Sequence, residues 1–89
     1  MADADIARTG LDQAVARFTD AAATLRGVAR ADPAFRDICE EYALARESLA
    51  RFEARPDAAE RPEIEDFRTV IADLEGEMDR MLKEARPRG

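Results

Sequence analysis

Two segments of this chain repeat the same apolar spacing, and this repeat restricts what the chain can fold into. In each segment, apolar residues follow one another at intervals that alternate between three and four. Such intervals place side chains on one face of an α-helix, where another helix can pack against them. The residues are Phe35, Ile38, Tyr42, Ala45, Leu49 and Phe52 in the first segment, and Ile64, Phe67, Ile71, Leu74, Met78 and Met81 in the second.

Prolines mark the starts of both helices. Asp32-Pro33 joins a residue that caps helix N-termini to one that is favoured at the first helical position, and it predicts a helix over residues 33–53. Pro62 marks the start of a second helix over residues 62–85 by the same argument. A short polar connection between two such helices predicts an antiparallel, coiled-coil-like helical hairpin.

A thinner apolar stripe precedes the hairpin and predicts a third helix over residues 10–29. Thr9 and Asp12 have the spacing of a capping box, although a helix start near Asp3 or Asp5 fits the sequence equally well. The stripe is rich in alanine, so it buries little area. It consists of Leu11, Val15, Phe18, Ala22, Leu25 and Ala29.

We therefore predict one all-α domain over residues 1–89, near the size at which a single core is marginal. The hydrophobic fraction is 46%, but much of it is alanine. A hairpin alone buries too little apolar surface to offset the conformational entropy lost on folding. The third helix or a second copy must supply the rest, as a three-helix bundle or a dimeric helical bundle. The function this favours is a non-enzymatic protein–protein interaction or assembly module, most simply a homodimer.

The charge distribution excludes several partners. The chain has 20 acidic and 14 basic residues and a net charge of −6. Residues 32–61 and 62–89 each carry eight acids against five bases, a net −3 apiece. Without a basic patch, we expect no binding to the nucleic-acid backbone and none to an anionic membrane surface. The alternative function is an acidic regulator that docks on a basic protein or mimics nucleic acid.

Residue usage also suggests an origin and a compartment. Arginine outnumbers lysine 13 to 1 and asparagine is absent, which is typical of GC-rich bacterial genomes. The N-terminal residues lack the apolar run of a signal peptide, and no stretch has membrane-spanning length. A single cysteine fits a reducing compartment. We therefore expect a cytoplasmic protein.

Three residue types on the predicted helices are candidates for reactive or binding sites. Cys39 has neither a histidine to activate it nor a second cysteine to resolve it, so we expect a buried, inert thiol rather than an intermolecular disulfide or a redox group. Tyr42 is predicted to lie in the core with its hydroxyl at the boundary, and a binding role for that hydroxyl stays open. Met78 and Met81 are expected in the core, although a partner protein could also cover them.

The carboxylates are more numerous, but they lack the companions that metal sites require. Di-iron bundles pair glutamates with histidines, and this chain has no histidine. The central glycine and spacing of an EF-hand are also missing. We therefore expect solvated helix faces, no catalytic, cofactor or metal site, and no enzymatic activity, with a carboxylate metal site as the least favoured alternative. The carboxylates concerned are those of Glu40, Glu41, Glu63, Glu65, Asp66, Asp73, Glu75, Glu77 and Asp79.

Residues 35–42 read Phe-Arg-Asp-Ile-Cys-Glu-Glu-Tyr and precede a helix, a turn with proline and aspartate, and a second helix. In this the chain is similar to short uncharacterised bacterial proteins that share an Ile-Cys-Glu-acid-Tyr box ahead of a helical hairpin. The resemblance covers roughly residues 35–83. It implies the hairpin and, because that group has no assigned activity, it implies no functional residue.

Overall fold

The computed structural model describes residues 2–85, with side chains from Gly10 onward. Met1 and the last four residues, which the predicted domain over 1–89 includes, lie outside the described residues. No β-strand occurs between Ala2 and Ala85, so the predicted all-α class is confirmed. The helices are α1 (Ala2–Arg17), α2 (Ala22–Ala31), α3 (Pro33–Glu53) and α4 (Pro62–Ala85), with 3-10 turns at Thr19–Ala21 and Ala58–Glu60.

The predicted helix over residues 10–29 is wrong, because two helices occupy this part of the chain. α1 begins well before residue 10, so Thr9 lies inside it rather than at a cap. The helix ends at Arg17, where Phe18 adopts φ −117° and ψ 56° and leaves the helical region. The change of direction lets α2 pack Leu25 and Ala29 into the core. Burial of these side chains outweighs the weak preference of this segment for a continuous helix.

The start of α3 follows the sequence prediction. Asp32 Oδ1 accepts a hydrogen bond of 2.9 Å from the backbone N–H of Ala34, and Pro33 fills the first helical position. Arg36 reaches back, and its Nη1 donates to the carbonyl oxygens of Ala29 at 2.6 Å and of Arg30 at 3.2 Å. These carbonyls at the end of α2 have no partner within their own helix, so Arg36 serves as its C-terminal cap.

Two arginines fix the connection between α3 and α4 through one aspartate. Asp57 accepts hydrogen bonds from Arg55 Nε at 3.0 Å and Arg61 Nε at 2.9 Å. These hydrogen bonds lower the pKa of the Asp57 carboxyl to about 2, so it stays ionised at any ordinary pH. The turn therefore ends at Pro62, where α4 begins as predicted.

The core lies around α3, which packs extensively against both α1 and α4, while α2 contacts α3 and α4. α1 approaches α3 closely at Gly10. A Cβ at that position would lie 2.6 Å from the carbonyl oxygen of Cys39 and 2.8 Å from its carbonyl carbon. The fold is thin, with extents of 50 × 30 × 19 Å. The buried hydrophobic residues are Ala14, Leu25, Ala29, Phe35, Cys39, Tyr42, Ala43, Ala45, Ile64, Leu74, Met78 and Leu82.

Candidate functional site

A polar network crosses the core at Tyr42 and joins three helices. The Tyr42 side chain on α3 is fully buried, and its hydroxyl donates a hydrogen bond of 2.6 Å to Glu75 Oε2 on α4. Arg46 Nη1 donates to the same hydroxyl at 3.1 Å, and Arg17 Nε on α1 lies 3.2 Å from Glu75 Oε2. Tyr42 thus lies in the core with a partner for its hydroxyl, as predicted.

The charges in this network compensate one another. Burial, together with the hydrogen bond to Glu75, raises the pKa of Tyr42, so the phenol stays protonated at neutral pH. The negative charge of Glu75 is matched by Arg17, and the guanidinium of Arg46 lies 5.5 Å from the centre of the Tyr42 ring. The network therefore holds α1, α3 and α4 together and leaves no nucleophile at this point.

The carboxylate of Glu75 corrects the prediction of a fully solvated acidic face. Its side chain is only 22% exposed and is turned toward Tyr42 and Arg17. Glu75 and Asp79 lie one helical turn apart and would repel each other, but each has a cation beside it, since Glu75 pairs with Arg17 at 3.2 Å and Asp79 with Lys83 at 2.9 Å. The sequence signal for the contact between Glu75 and Tyr42 was Tyr42, because a tyrosine on the apolar stripe of α3 needs a polar partner for its hydroxyl from the facing helix.

Cys39 is buried, as predicted, with 2% of its surface exposed. Its backbone lies against Gly10 on α1, so α1 packs closely on α3 at this residue. Burial, with a smaller contribution from Glu40, raises the pKa of the Cys39 thiol to about 11. A thiol that stays protonated near neutral pH is a poor nucleophile and a poor metal ligand.

We expect Cys39 to react very slowly with iodoacetamide near pH 8. Raising the pKa from 9.0 to about 11 lowers the thiolate fraction about a hundredfold, and burial slows the reaction further. The measurement compares the alkylation rate of the native chain with that of the urea-unfolded chain by mass spectrometry. Equal rates in the two states would show an accessible, reactive thiol and contradict this assignment.

Among the side chains from Gly10 to Ala85, no group of three or more acidic or cysteine residues is arranged so that it could hold a metal ion. An open groove of about 770 Å³ lies between α1 and α3. Its two cations, Arg17 and Arg46, are already engaged with Glu75 and Tyr42, so little charge is left there for a ligand.

One face of α3 and α4 points away from α1, and we call it the acidic face. Glu41 lies two residues, or about 200° of helix rotation, from both Cys39 and Ala43 on the buried side of α3. Glu77 lies the same distance from Glu75, which pairs with α1. The acidic face consists of Ile38, Glu41 and Ser48 on α3 and Val70, Glu77 and Met81 on α4, with the buried Ala45 and Leu74 beneath it.

Apolar side chains are left open to solvent on this face. Val70 is 46% exposed, and Ile38 and Met81 are half-buried. The other exposed large hydrophobic residue between Gly10 and Ala85 is Leu44, at 48%. Leu44 lies about 200° around α3 from Tyr42 and one helical turn from both Glu41 and Ser48. The two exposed apolar side chains therefore lie on the acidic face, in the case of Val70, and at its border, in the case of Leu44.

Unpaired carboxylates border this strip. Glu41 lies on the acidic face, and Asp37, Asp66 and Asp73 each lie one helical turn from one of its members. None of the four forms an ion pair with any side chain from Gly10 to Ala85. Glu77 has only a loose partner, Arg80, at 3.7 Å. The exposed apolar strip is therefore surrounded by uncompensated negative charge.

Comparisons with known proteins found no relative of this chain. Between residues 2 and 85, no helix is both long enough and apolar enough to cross a membrane. The predicted resemblance to short bacterial hairpin proteins stays a prediction. No protein-family model matches the chain, and no curated protein or solved structure matches it either.

Proposed function

We propose that the chain is a small, non-enzymatic interaction or assembly module that works through helix–helix contacts. Its scaffold is an antiparallel hairpin of α3 and α4, with α1 and α2 packed on one side of it. The cross-helix pairs Phe52–Phe67 and Tyr42–Glu75 support this arrangement. Residue numbers rise along α3 as they fall along α4, as antiparallel helices require.

The observation that carries the proposal is the exposed apolar strip on the acidic face. In this arrangement α1 and α2 pack against one side only of the hairpin formed by α3 and α4. The shortest extent of the fold, 19 Å, fits this arrangement. Val70 then faces solvent where a closed bundle would have another helix. A helix docked there would cover Val70 and shield the half-buried Ile38 and Met81.

The composition of the core also favours an additional helix. Of the twelve buried hydrophobic residues, four are alanines, which contribute little burial. Each further square ångström of apolar surface removed from water stabilises the fold by about 25 cal/mol. A partner helix would therefore raise the stability of a chain whose own core is slim.

The homodimer that the slim core predicts is one form of this proposal. Sedimentation equilibrium at micromolar concentration tests it directly. A stable monomer with high thermal stability would remove the homodimer and leave the interaction module with a different partner. Dissociation linked to thermal unfolding would support the homodimer.

Site-specific photo-crosslinking in cells of the source organism tests whether the acidic face is occupied. Benzoylphenylalanine replaces Val70 in one variant and Ala23, an exposed residue of α2, in the control. We expect a discrete adduct from position 70 and none above background from position 23. The mass of the adduct identifies the occupant, a second copy or another protein. Equal labelling from both positions, or none from either, would contradict the proposal.

A further inference from the structure

We infer that the occupant of the acidic face is a cationic amphipathic helix from another protein. This inference rests on the proposed function, because it names the partner of the same surface. Its apolar side would cover Ile38, Val70 and Met81, and its lysines or arginines would lie against the carboxylates at the border.

The shape of the acidic face suits a helix laid along it. On α3 Ser48 has a short side chain, which lets a neighbouring backbone approach closely. On α4 Val70 is exposed and Met81 is half-buried on the same side of the helix, so the two provide apolar contacts about three turns apart. Helices that dock in such grooves use apolar anchors at positions i, i+3 or i+4, and i+7.

The charges on α3 and α4 are unbalanced toward this face. Each arginine or lysine of these helices already has a partner elsewhere: a carboxylate, the Tyr42 hydroxyl or the carbonyls of α2. Asp37, Glu41, Asp66 and Asp73 have no ion-pair partner among the side chains from Gly10 to Ala85. Cations from a partner would complete these pairs, and opposite charges at the rim also raise the rate of association.

The same charges oppose the other occupants. In a twofold-symmetric homodimer through this face, the two surfaces would be identical, so four unpaired carboxylates would meet four more. Like charges placed against each other across an interface cost free energy. A nucleic acid would bring phosphates to the same carboxylates. A cationic helix is the occupant whose apolar strip and charge both fit.

The binding test uses a synthetic helical peptide of leucine, alanine and lysine as the probe, with its leucines on one face. One control peptide has glutamate in place of every lysine, and the other has the same composition with leucines distributed around the helix. Calorimetric titration into the full chain measures the dissociation constant. We expect binding of the first peptide only, weakening as salt is added. Equal binding of the distributed peptide, or no binding of the first, would overturn the inference.

Two matched triple variants locate the charge effect. Glu41→Gln/Asp66→Asn/Asp73→Asn removes carboxylates at the acidic face, and Asp12→Asn/Asp20→Asn/Glu60→Gln removes exposed ones elsewhere. Each variant loses three negative charges, so the net charge changes from −6 to −3 in both. We expect the first to weaken peptide binding about tenfold and the second about twofold or less. Equal weakening would show attraction by net charge alone and contradict the inference.

A pair of apolar variants checks the strip without altering charge. Val70→Ala is expected to weaken peptide binding about threefold to fivefold, since it removes apolar contact at the centre of the surface. Val28→Ala, the same substitution on α2, is expected to leave binding unchanged. Equal affinities for both variants would place the peptide elsewhere and overturn the inference. An adduct at position 70 to a second copy alone would also overturn it, while the proposed function would stand.

Discussion

Replacing Gly10 by alanine is expected to lower the free energy of unfolding by about 1–3 kcal/mol. The new Cβ would lie 2.6 Å from the carbonyl oxygen of Cys39 and 2.8 Å from its carbonyl carbon, closer than atoms that are not bonded can approach. These atoms belong to the backbone of α3, so no side-chain rotation relieves the clash. The two helices must separate along their contact. Urea denaturation followed by circular dichroism measures the change.

The other helical glycines provide the control. A Cβ at Gly27 or Gly76 would meet no atom within 4 Å, although both lie inside helices. Alanine at either position should stabilise the chain by about 0.5–1 kcal/mol, because it lowers the entropy cost of forming the helix. Stabilisation by Gly10→Ala as well would show that α1 does not approach α3 at this distance.

Truncating Tyr42 to alanine is expected to cost about 3–5 kcal/mol, the largest effect of any single substitution considered for this chain. The ring is fully buried at the centre of α3, and removing it opens a cavity among α1, α3 and α4. Tyr42→Phe keeps the ring and loses only the hydroxyl. We expect that variant to cost about 1 kcal/mol, because Glu75 keeps its ion pair with Arg17.

The two Tyr42 variants separate packing from hydrogen bonding when compared with Leu44→Ala. Leu44 lies on the same helix and is 48% exposed, so its truncation should change stability by less than about 0.5 kcal/mol. Thermal or urea unfolding of the three variants provides the comparison. A cost for Tyr42→Phe equal to that of Tyr42→Ala would show that the network, not the ring, supplies the stability.

The bounds of α3 and α4 could be predicted because local chemistry determines them. Asp32 and Pro33 suit a helix start in any context. Pro62 has no backbone N–H to donate to a preceding helical turn, so it is favoured at the start of a helix and disfavoured inside one. The break at Phe18 could not be predicted in the same way. No glycine or proline marks it, and its cause is the burial of Leu25 and Ala29 against distant parts of the chain.

The candidate surface could be predicted only in part. Sequence spacing placed Leu74 and Met81 on the packing side of α4, and net charge indicated an acidic chain. Which carboxylates are compensated depends on neighbours from other helices. Glu75 found Arg17 across the core, whereas Asp73, two residues earlier, found no cation in the described part of the chain. That difference becomes visible only when the helices are placed together.

The contact between Gly10 and the backbone of Cys39 also restricts how this sequence can diverge. A mutation that adds a side chain at position 10 survives selection only if α1 moves outward from α3. Such a movement would lengthen the distance from Arg17 to Glu75 and expose the thiol of Cys39. Homologues that retain glycine at this position should therefore also retain the arginine, the glutamate and the small residue at position 39 as a covarying set.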